Sequence, residues 1–289
     1  MGFWKRLRLT LEMIKFEHSL FALPFALTGA LLAVRDGGYR VEKMKFVWIV
    51  VAMVGARSAA MAFNRVLDAE IDARNPRTRM RHLPAGLLSK TFAWGFVVVS
   101  SAVLIGAAAV LNRLCLILAP LALAIVFFYS FTKRFTAFSH VVLGLALGIA
   151  PTAAWIAIQG RVEPPILWLT ASVMFWTAGF DIIYSCQDYE FDTAAGLFSL
   201  PARLGIAGAL RVARLFHVAM IVCLIALVYS FDLGWLAATG VAVTGAVLIY
   251  EHQLVKPDDL SRVNMAFFNL NAYVSVLFFV FWAADIWIL

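Results

Sequence analysis

The sequence predicts an all-α integral membrane protein, a bundle of about nine transmembrane helices around a central cavity, and three observations carry that expectation. Of the 289 residues, 63% are hydrophobic and 14% charged, with a mean hydropathy of +0.88; a soluble domain carries about 25% charged residues. Runs rich in Ala, Leu, Val and Phe recur with lengths of roughly 18–22 residues, enough as helices for ~30 Å of hydrocarbon. No segment has the ten-residue alternation of a membrane barrel. A single domain over residues 1–289 is expected.

The spans fall at roughly residues 18–34, 46–68, 91–110, 114–131, 138–158, 165–184, 210–230, 233–250 and 265–287, each read from its apolar run. Before the first lie Lys5, Arg6 and Arg8 and an amphipathic stretch with Glu12, Lys15 and Glu17. No short apolar run with a small-residue cleavage site follows, so a cleaved signal peptide is not expected. Turn signals part the spans: Asp36-Gly37-Gly38 after the first, Gly160-Arg161 with Pro164-Pro165 after the fifth, and Lys256-Pro257-Asp258-Asp259 after the eighth. The longest polar connections, 69–90 and 185–209, contain Pro76, Pro84 and Gly86, and Gly196, Pro201 and Gly205; exposed loops of this kind commonly carry function. Trp4, Trp48, Trp155, Trp168, Trp282 and Trp287 read as an interfacial belt. Cys115, Cys186 and Cys223 lack metal-ligand spacing and read as reduced packing residues.

With the N-terminus inside, 16 Lys and Arg residues fall on the cytoplasmic side and six on the other, the asymmetry of the positive-inside rule. The expected location is therefore a cell (inner) membrane, multi-pass, with the polar loops after the second and sixth spans in the cytoplasm. The net charge of +7 suits basic loops against a membrane lipid surface, and no basic run with interleaved aromatics points to nucleic acid.

Two acidic clusters close the second and sixth spans. On a helix, residues four apart share a face, so Asn64, Asp68 and Asp72 form one stripe and Tyr184, Asp188 and Asp192 another. Each stripe precedes a Pro/Gly loop, the layout of two related halves, although the sequences between them do not align closely. Carboxylates at membrane depth are costly and usually functional, and like charges facing each other need a cation. Carboxylate and amide oxygens without His or Cys in register are hard ligands suited to Mg2+, which bridges carboxylates to phosphate oxygens. Arg77, Arg81, Lys133, Arg134 and Arg203 are nearby bases for a diphosphate. A ligand with a diphosphate head and a hydrocarbon tail matches both environments.

At these residues the chain resembles the UbiA superfamily of intramembrane aromatic prenyltransferases. The family's Asn-x-x-x-Asp-x-x-x-Asp motif is met by Asn64, Asp68 and Asp72, and its Tyr-preceded Asp-x-x-x-Asp motif by Tyr184, Asp188 and Asp192. Tyr129-Ser130-Phe131-Thr132-Lys133-Arg134, then His140, Gly144 and Ala150-Pro151, resemble the stretch after the family's fourth helix. Arg81-His82-Leu83-Pro84-Ala85-Gly86 is similar to its Arg-Pro-Leu-x-x-Gly loop. The resemblance implies a Mg2+-dependent polyprenyltransferase, with Asn64, Asp68, Asp72, Asp188 and Asp192 holding two ions. It implies diphosphate contacts from Asn64, Arg77, Arg81, Tyr129, Lys133, Arg134 and Arg203. An allylic cation left by ionisation of a polyprenyl diphosphate would be stabilised by the faces of Tyr184 and Tyr129 and attacked by the ring of an aromatic phenol carboxylate.

Two departures stand out. Phe198 precedes Ser199 where many members have a basic residue, and Lys15-Phe16-Glu17-His18-Ser19 replaces an Arg-containing pattern associated with the acceptor. The leading expectation is transfer to 4-hydroxybenzoate in ubiquinone-type quinone biosynthesis. A sibling expectation has a 1,4-dihydroxy-6-naphthoate acceptor, as in futalosine-route menaquinone biosynthesis. The competing class is a cation-coupled transporter, which predicts helices broken in mid-membrane.

Overall fold

The protein, a computed structural model that describes residues 2–15 and 19–288, is a ring of long helices with no strand among the described residues. Each expected span forms a helix: α2 (Ser19–Asp36), α3 (Lys43–Arg74), α4 (Lys90–Leu111), α5 (Arg113–Thr132), α6 (Ser139–Gln159), α7 (Leu167–Ser185), α9 (Leu200–Ser230), α10 (Trp235–Leu254) and α12 (Asn271–Ile288). The short α1 (Phe3–Met13), α8 (Tyr189–Ala194) and α11 (Val263–Met265) flank them. Where the sequence led to nine spans, seven helical segments among the described residues meet a test of length and hydropathy for crossing a membrane. α2 and α10 stand outside that set, and α10 closes on the polar Tyr250-Glu251-His252-Gln253. The chain is a multi-pass membrane protein.

Neighbours in the ring are neighbours in sequence. α3 packs on α4, α4 on α5, α5 on α6, α6 on α7, α7 on α9, α9 on α10 and α10 on α12, and α12 closes on α2. Bulk apolarity does not hold helices together in lipid, so close packing and polar contacts must. Gly144 and Gly148 meet the α7 backbone: a Cβ on Gly144 would lie 2.2 Å from the Met174 carbonyl oxygen, so the helices touch only because neither position has a side chain. Between α2, α7 and α12, Phe25 stacks on Phe278 at 4.6 Å and lies 4.9 Å from Trp176.

Polar side chains fix the helix ends. Asn112 accepts the Cys115 N–H at the start of α5 and donates to the Ile156 carbonyl at 2.8 Å, tying the α4–α5 turn to α6. Ser89 and Ser199 cap α4 and α9. Gly205 (φ 69°) breaks α9 into two helical stretches, a conformation open to glycine at little cost. Asp285, fully buried on α12, accepts the Gly234 and Ala237 N–H groups at 2.8 and 3.0 Å and so caps α10.

Two sequence expectations change. Trp155 and Trp282 are fully buried inside the bundle rather than in an interfacial belt, because they point from α6 and α12 into the core; Trp4, Trp168 and Trp287 remain exposed. The connection 185–209 is mostly helical, occupied by α8 and the start of α9. All three cysteines are free, with Cys186 and Cys223 buried.

Loss of an N-cap costs about 0.5–2 kcal/mol, and Asp285 caps from a fully buried position. Asp285→Ala is expected to lower the midpoint of thermal unfolding in detergent by several degrees; an unchanged midpoint would show that α10 needs no cap.

Candidate active site

α3 is 32 residues long, about 48 Å at 1.5 Å per residue and longer than the hydrocarbon is thick. Its last turns therefore carry Asn64, Asp68 and Asp72 to one end of the bundle, where α7 also ends. The second stripe is less regular than a helical repeat predicts. α7 stops at Ser185, a 3-10 turn spans Cys186–Asp188, and α8 resumes at Tyr189. Asp188 sits outside helical geometry at this junction (φ −99°, ψ 6°), held by partners from the first loop.

Both stripes line one cavity of about 590 Å³. Asp68 and Asp72 are almost fully buried in its wall. Lys133 Nζ lies 2.6 Å and Arg134 Nη2 3.0 Å from the two Asp68 oxygens, and Asn64 donates to Asp68 at 3.1 Å. One Arg81 nitrogen reaches both Asp72 oxygens at 2.8 and 2.9 Å. Across the cavity, Arg77 forms a forked pair with Asp188, and Asn75 donates to the same carboxylate at 2.9 Å. Arg77 also donates to the Tyr184 hydroxyl at 3.0 Å, its guanidinium 5.2 Å from that ring's centroid. Burial opposes the Arg77 charge, but the hydrogen bonds and charge of Asp188 outweigh it and raise the Arg77 pKa above its ordinary value.

The cavity continues into a second one of about 250 Å³ lined almost wholly by Ala, Leu, Val, Ile and Met. Arg57, Met61, Asn64, Tyr129, Leu143 and Leu147 border both. A polar basin with paired acids and bases thus opens into an apolar pocket, a shape for an amphiphile with an anionic head.

Of the sequence candidates, Asn64, Asp68, Asp72, Asp188, Asp192, Tyr184, Tyr129, Arg77, Arg81 and Lys133 all line the cavity. Arg134 stands behind Asp68, donating also to the Ser130 and Leu67 carbonyls. Arg203 is exposed on α9 and does not border the cavity, because the Ser199 cap starts that helix with Arg203 facing outward. Phe198, the residue in place of a base, lies at the cavity beside Lys133, whose carbonyl accepts the Phe198 N–H. Phe16, Glu17 and His18 lie outside the described residues. Sequence reasoning missed Asn75, the Asp181–His140 pair and Phe267 with Phe268. These two rings lie on a π-helical turn over Ala266–Leu270 that has no sequence signature here. Asp181 was legible as an acid on the Tyr184 helix; its partner, 41 residues earlier, was not.

A family model described as the UbiA prenyltransferase family matches residues 22–282. The 4-hydroxybenzoate octaprenyltransferase of Vibrio atlanticus (strain LGP32) is 31% identical over 239 residues, 81% of this chain and 83% of that protein. Among solved structures, an apo UbiA homolog from Aeropyrum pernix K1 is 37% identical with a TM-score of 0.84, covering 93% of this chain and 98% of that one. A UbiA homolog from Archaeoglobus fulgidus bound to DMAPP and Mg2+ has a TM-score of 0.75 at 18% identity, covering 97% and 99% of the two chains, a likeness of fold.

Arg77 and Lys133 reach the cavity and Arg203 does not, so their effects on anion binding should separate. With Mg2+ and inorganic diphosphate in a calorimeter, Arg77→Ala or Lys133→Ala should each weaken binding about tenfold or more, as expected for a lost charge-assisted hydrogen bond. Arg203→Ala should leave it unchanged; equal losses in all three would place the anion elsewhere.

Proposed function

The chain belongs to the UbiA prenyltransferase family, and we propose that it transfers a polyprenyl chain from an allylic diphosphate to a ring carbon of 4-hydroxybenzoate, in ubiquinone-type quinone biosynthesis. The observation that carries this reading is the pair of acidic stripes on α3 and α7–α8, facing one polar cavity that continues into an apolar one. The acceptor follows the names of relatives that align over most of the chain, such as the Vibrio enzyme. Among the described residues the irregular turns lie near helix ends, which speaks against the transporter alternative: the 3-10 junction at the end of α7, the Gly205 kink near the start of α9 and the π-helical turn just before α12.

Mg2+ is the proposed metal. Among the described residues no three Asp, Glu, His or Cys side chains form a closed metal cage. Oxygen donors divided between two walls suit an ion that completes its shell with phosphate oxygens and water. Asn64, Asp68, Asp72, Asp188 and Asp192 would hold it. When bound, it would neutralise charge on the departing diphosphate.

The chain's own residues do the rest. Arg77 presents a planar fork that matches phosphate as well as it matches Asp188, and Lys133 and Arg81 add positive charge on the opposite wall. Loss of diphosphate leaves an allylic cation. The Tyr184 ring already accepts a guanidinium on its face and packs on Phe267 at 4.2 Å, and the same face suits the allylic cation. Tyr129 stands at the boundary between the cavities, where head meets tail. Arg57, at that boundary too, offers a guanidinium for the acceptor's carboxylate. The apolar walls take the polyprenyl tail and keep water from the cation. The excess of Lys and Arg on the side where the stripes end supports a cytoplasmic opening in a cell inner membrane.

The test is turnover by purified protein with Mg2+ and geranyl diphosphate on 4-hydroxybenzoate and 1,4-dihydroxy-6-naphthoate, with products identified by mass. Prenylated 4-hydroxybenzoate is expected; product from the naphthoate alone would move the chain to the menaquinone branch. Asp68→Asn and Asp188→Asn should each lower turnover at least about 100-fold, the scale of losing one charge-stabilising group, with the fold intact by circular dichroism. Full activity in either variant would sink the proposed site.

A further inference from the structure

The carboxylates of the cavity fall into two kinds. Asp68, Asp72 and Asp188 each pair with Lys or Arg. Asp181 is bridged by no Lys or Arg among the described residues; its partner is His140, with Nδ1 2.7 Å from Asp181 Oδ2. The other ring nitrogen of His140, Nε2, accepts the Leu200 backbone N–H at 3.4 Å. A nitrogen that accepts a hydrogen bond carries no proton, so the ring proton is on Nδ1 and is donated to Asp181. His140 is thus held from both sides and orients the Asp181 carboxylate. The His140 side chain is 4% exposed while Asp181 keeps 20% of its side-chain surface open, and both border the cavity. The carboxylate faces the space and the imidazole backs it.

Asp181 lies on α7 four residues before its last residue, Ser185, about 6 Å at 1.5 Å per residue, and Asp188 follows beyond the helix end. A phenol lying under the allylic carbon would present its ring to the Asp181 carboxylate.

We propose that Asp181, oriented by His140, is the proton acceptor of prenyl transfer. The proposal rests on the prenyl-transfer reading given above. The bond from allylic carbon to diphosphate oxygen breaks with its electron pair leaving on the diphosphate. The ring carbon then bonds to the allylic carbon and still carries its hydrogen. That C–H bond breaks, its electron pair restores the aromatic ring, and the proton passes to Asp181, which becomes a neutral carboxylic acid until water at the cavity mouth removes the proton. His140 keeps its own proton throughout. Asp68, Asp72 and Asp188 are poorly suited to this step because each is engaged by Lys or Arg, and Asp192 is one of the proposed metal ligands. Glu12, also bordering the cavity, is occupied by Arg8 and His82.

The experiment compares 4-hydroxybenzoate with its form deuterated at the ring carbons beside the hydroxyl, using geranyl diphosphate and Mg2+. In the unsubstituted protein ring-proton loss should be fast and the rate ratio near unity. In Asp181→Asn, turnover should fall about 100-fold, as for a lost general base, and the isotope ratio should rise to about 2 or more as proton loss becomes limiting. Asp181→Glu, which keeps a carboxylate, should recover much of the rate and bring the ratio back toward unity, a rescue that a merely structural role would not give. Full activity of Asp181→Asn, or lost activity with an isotope ratio still at unity, overturns the assignment while prenyl transfer stands. An unsubstituted protein that prenylates no phenol overturns the functional reading and this proposal together.

Discussion

Most of the polar end of this bundle depends on one constraint: a buried carboxylate at the edge of a membrane needs partners that offset its charge or donate hydrogen bonds to it. Asp68 is the clearest case. It is almost fully buried on α3, yet it receives Lys133, Arg134 and Asn64. Lys133 and Arg134 belong to the turn between α5 and α6, so this group of contacts locks α3 to the far side of the ring. Asp72 and Asp188 do the same for the first loop: Arg81 reaches back to Asp72, while Arg77 and Asn75 reach across to Asp188. The loop is thereby stretched between the two stripes as a bridge. Buried ion pairs contribute little net stability because desolvation offsets attraction, but removing one partner costs about 3–5 kcal/mol. Such an arrangement is better explained by where it holds the charges than by how much it stabilises the fold.

The same pairs suit a site that must take in a polyanion. Arg77, Arg81 and Lys133 already face the cavity and already spend their charge on carboxylates, so little side-chain ordering remains when phosphate oxygens arrive. Deeper in, polarity falls away. The second cavity is apolar because α3, α4, α5 and α6 meet there through Ala, Val, Leu and Ile, with small residues allowing close approach and leaving a gap. A head-and-tail ligand is sorted by that gradient alone.

The sequence made the stripes legible because a four-residue spacing describes one helix, and α3 is a single regular helix through Asp72. It made the spans legible because length and hydropathy are local. It could not reveal partners across the bundle: Arg77 and Asp188 are separated by 111 residues, and His140 and Asp181 by 41. Nor could it reveal the 3-10 turn before Asp188, which tertiary contacts to Arg77 and Asn75 hold in place. Arg203 looked like a phosphate ligand by composition of its loop, but the loop is a helix start and its register turns Arg203 outward. Trp155 and Trp282 misled for a related reason: a tryptophan near a helix end is interfacial only if that face looks toward lipid, and here both look inward.

From its open end inward, α7 and the junction after it present the residues of the proposed chemistry in order. Asp192 and Asp188 stand where metal and diphosphate would meet, Tyr184 lies one turn below with its ring face toward the cavity, and Asp181 and Thr177 come next. A polyprenyl diphosphate entering head-up would set its scissile bond beside Tyr184 and bring the acceptor ring toward Asp181. Charge changes sign along this path. The head needs cations, the ionised allyl group needs an electron-rich face, and the alkylated ring needs an anion without a competing cation. A histidine rather than a fixed cation beside Asp181 is what the last condition asks for. A lysine or arginine in its place would hold that carboxylate as firmly as Lys133 holds Asp68.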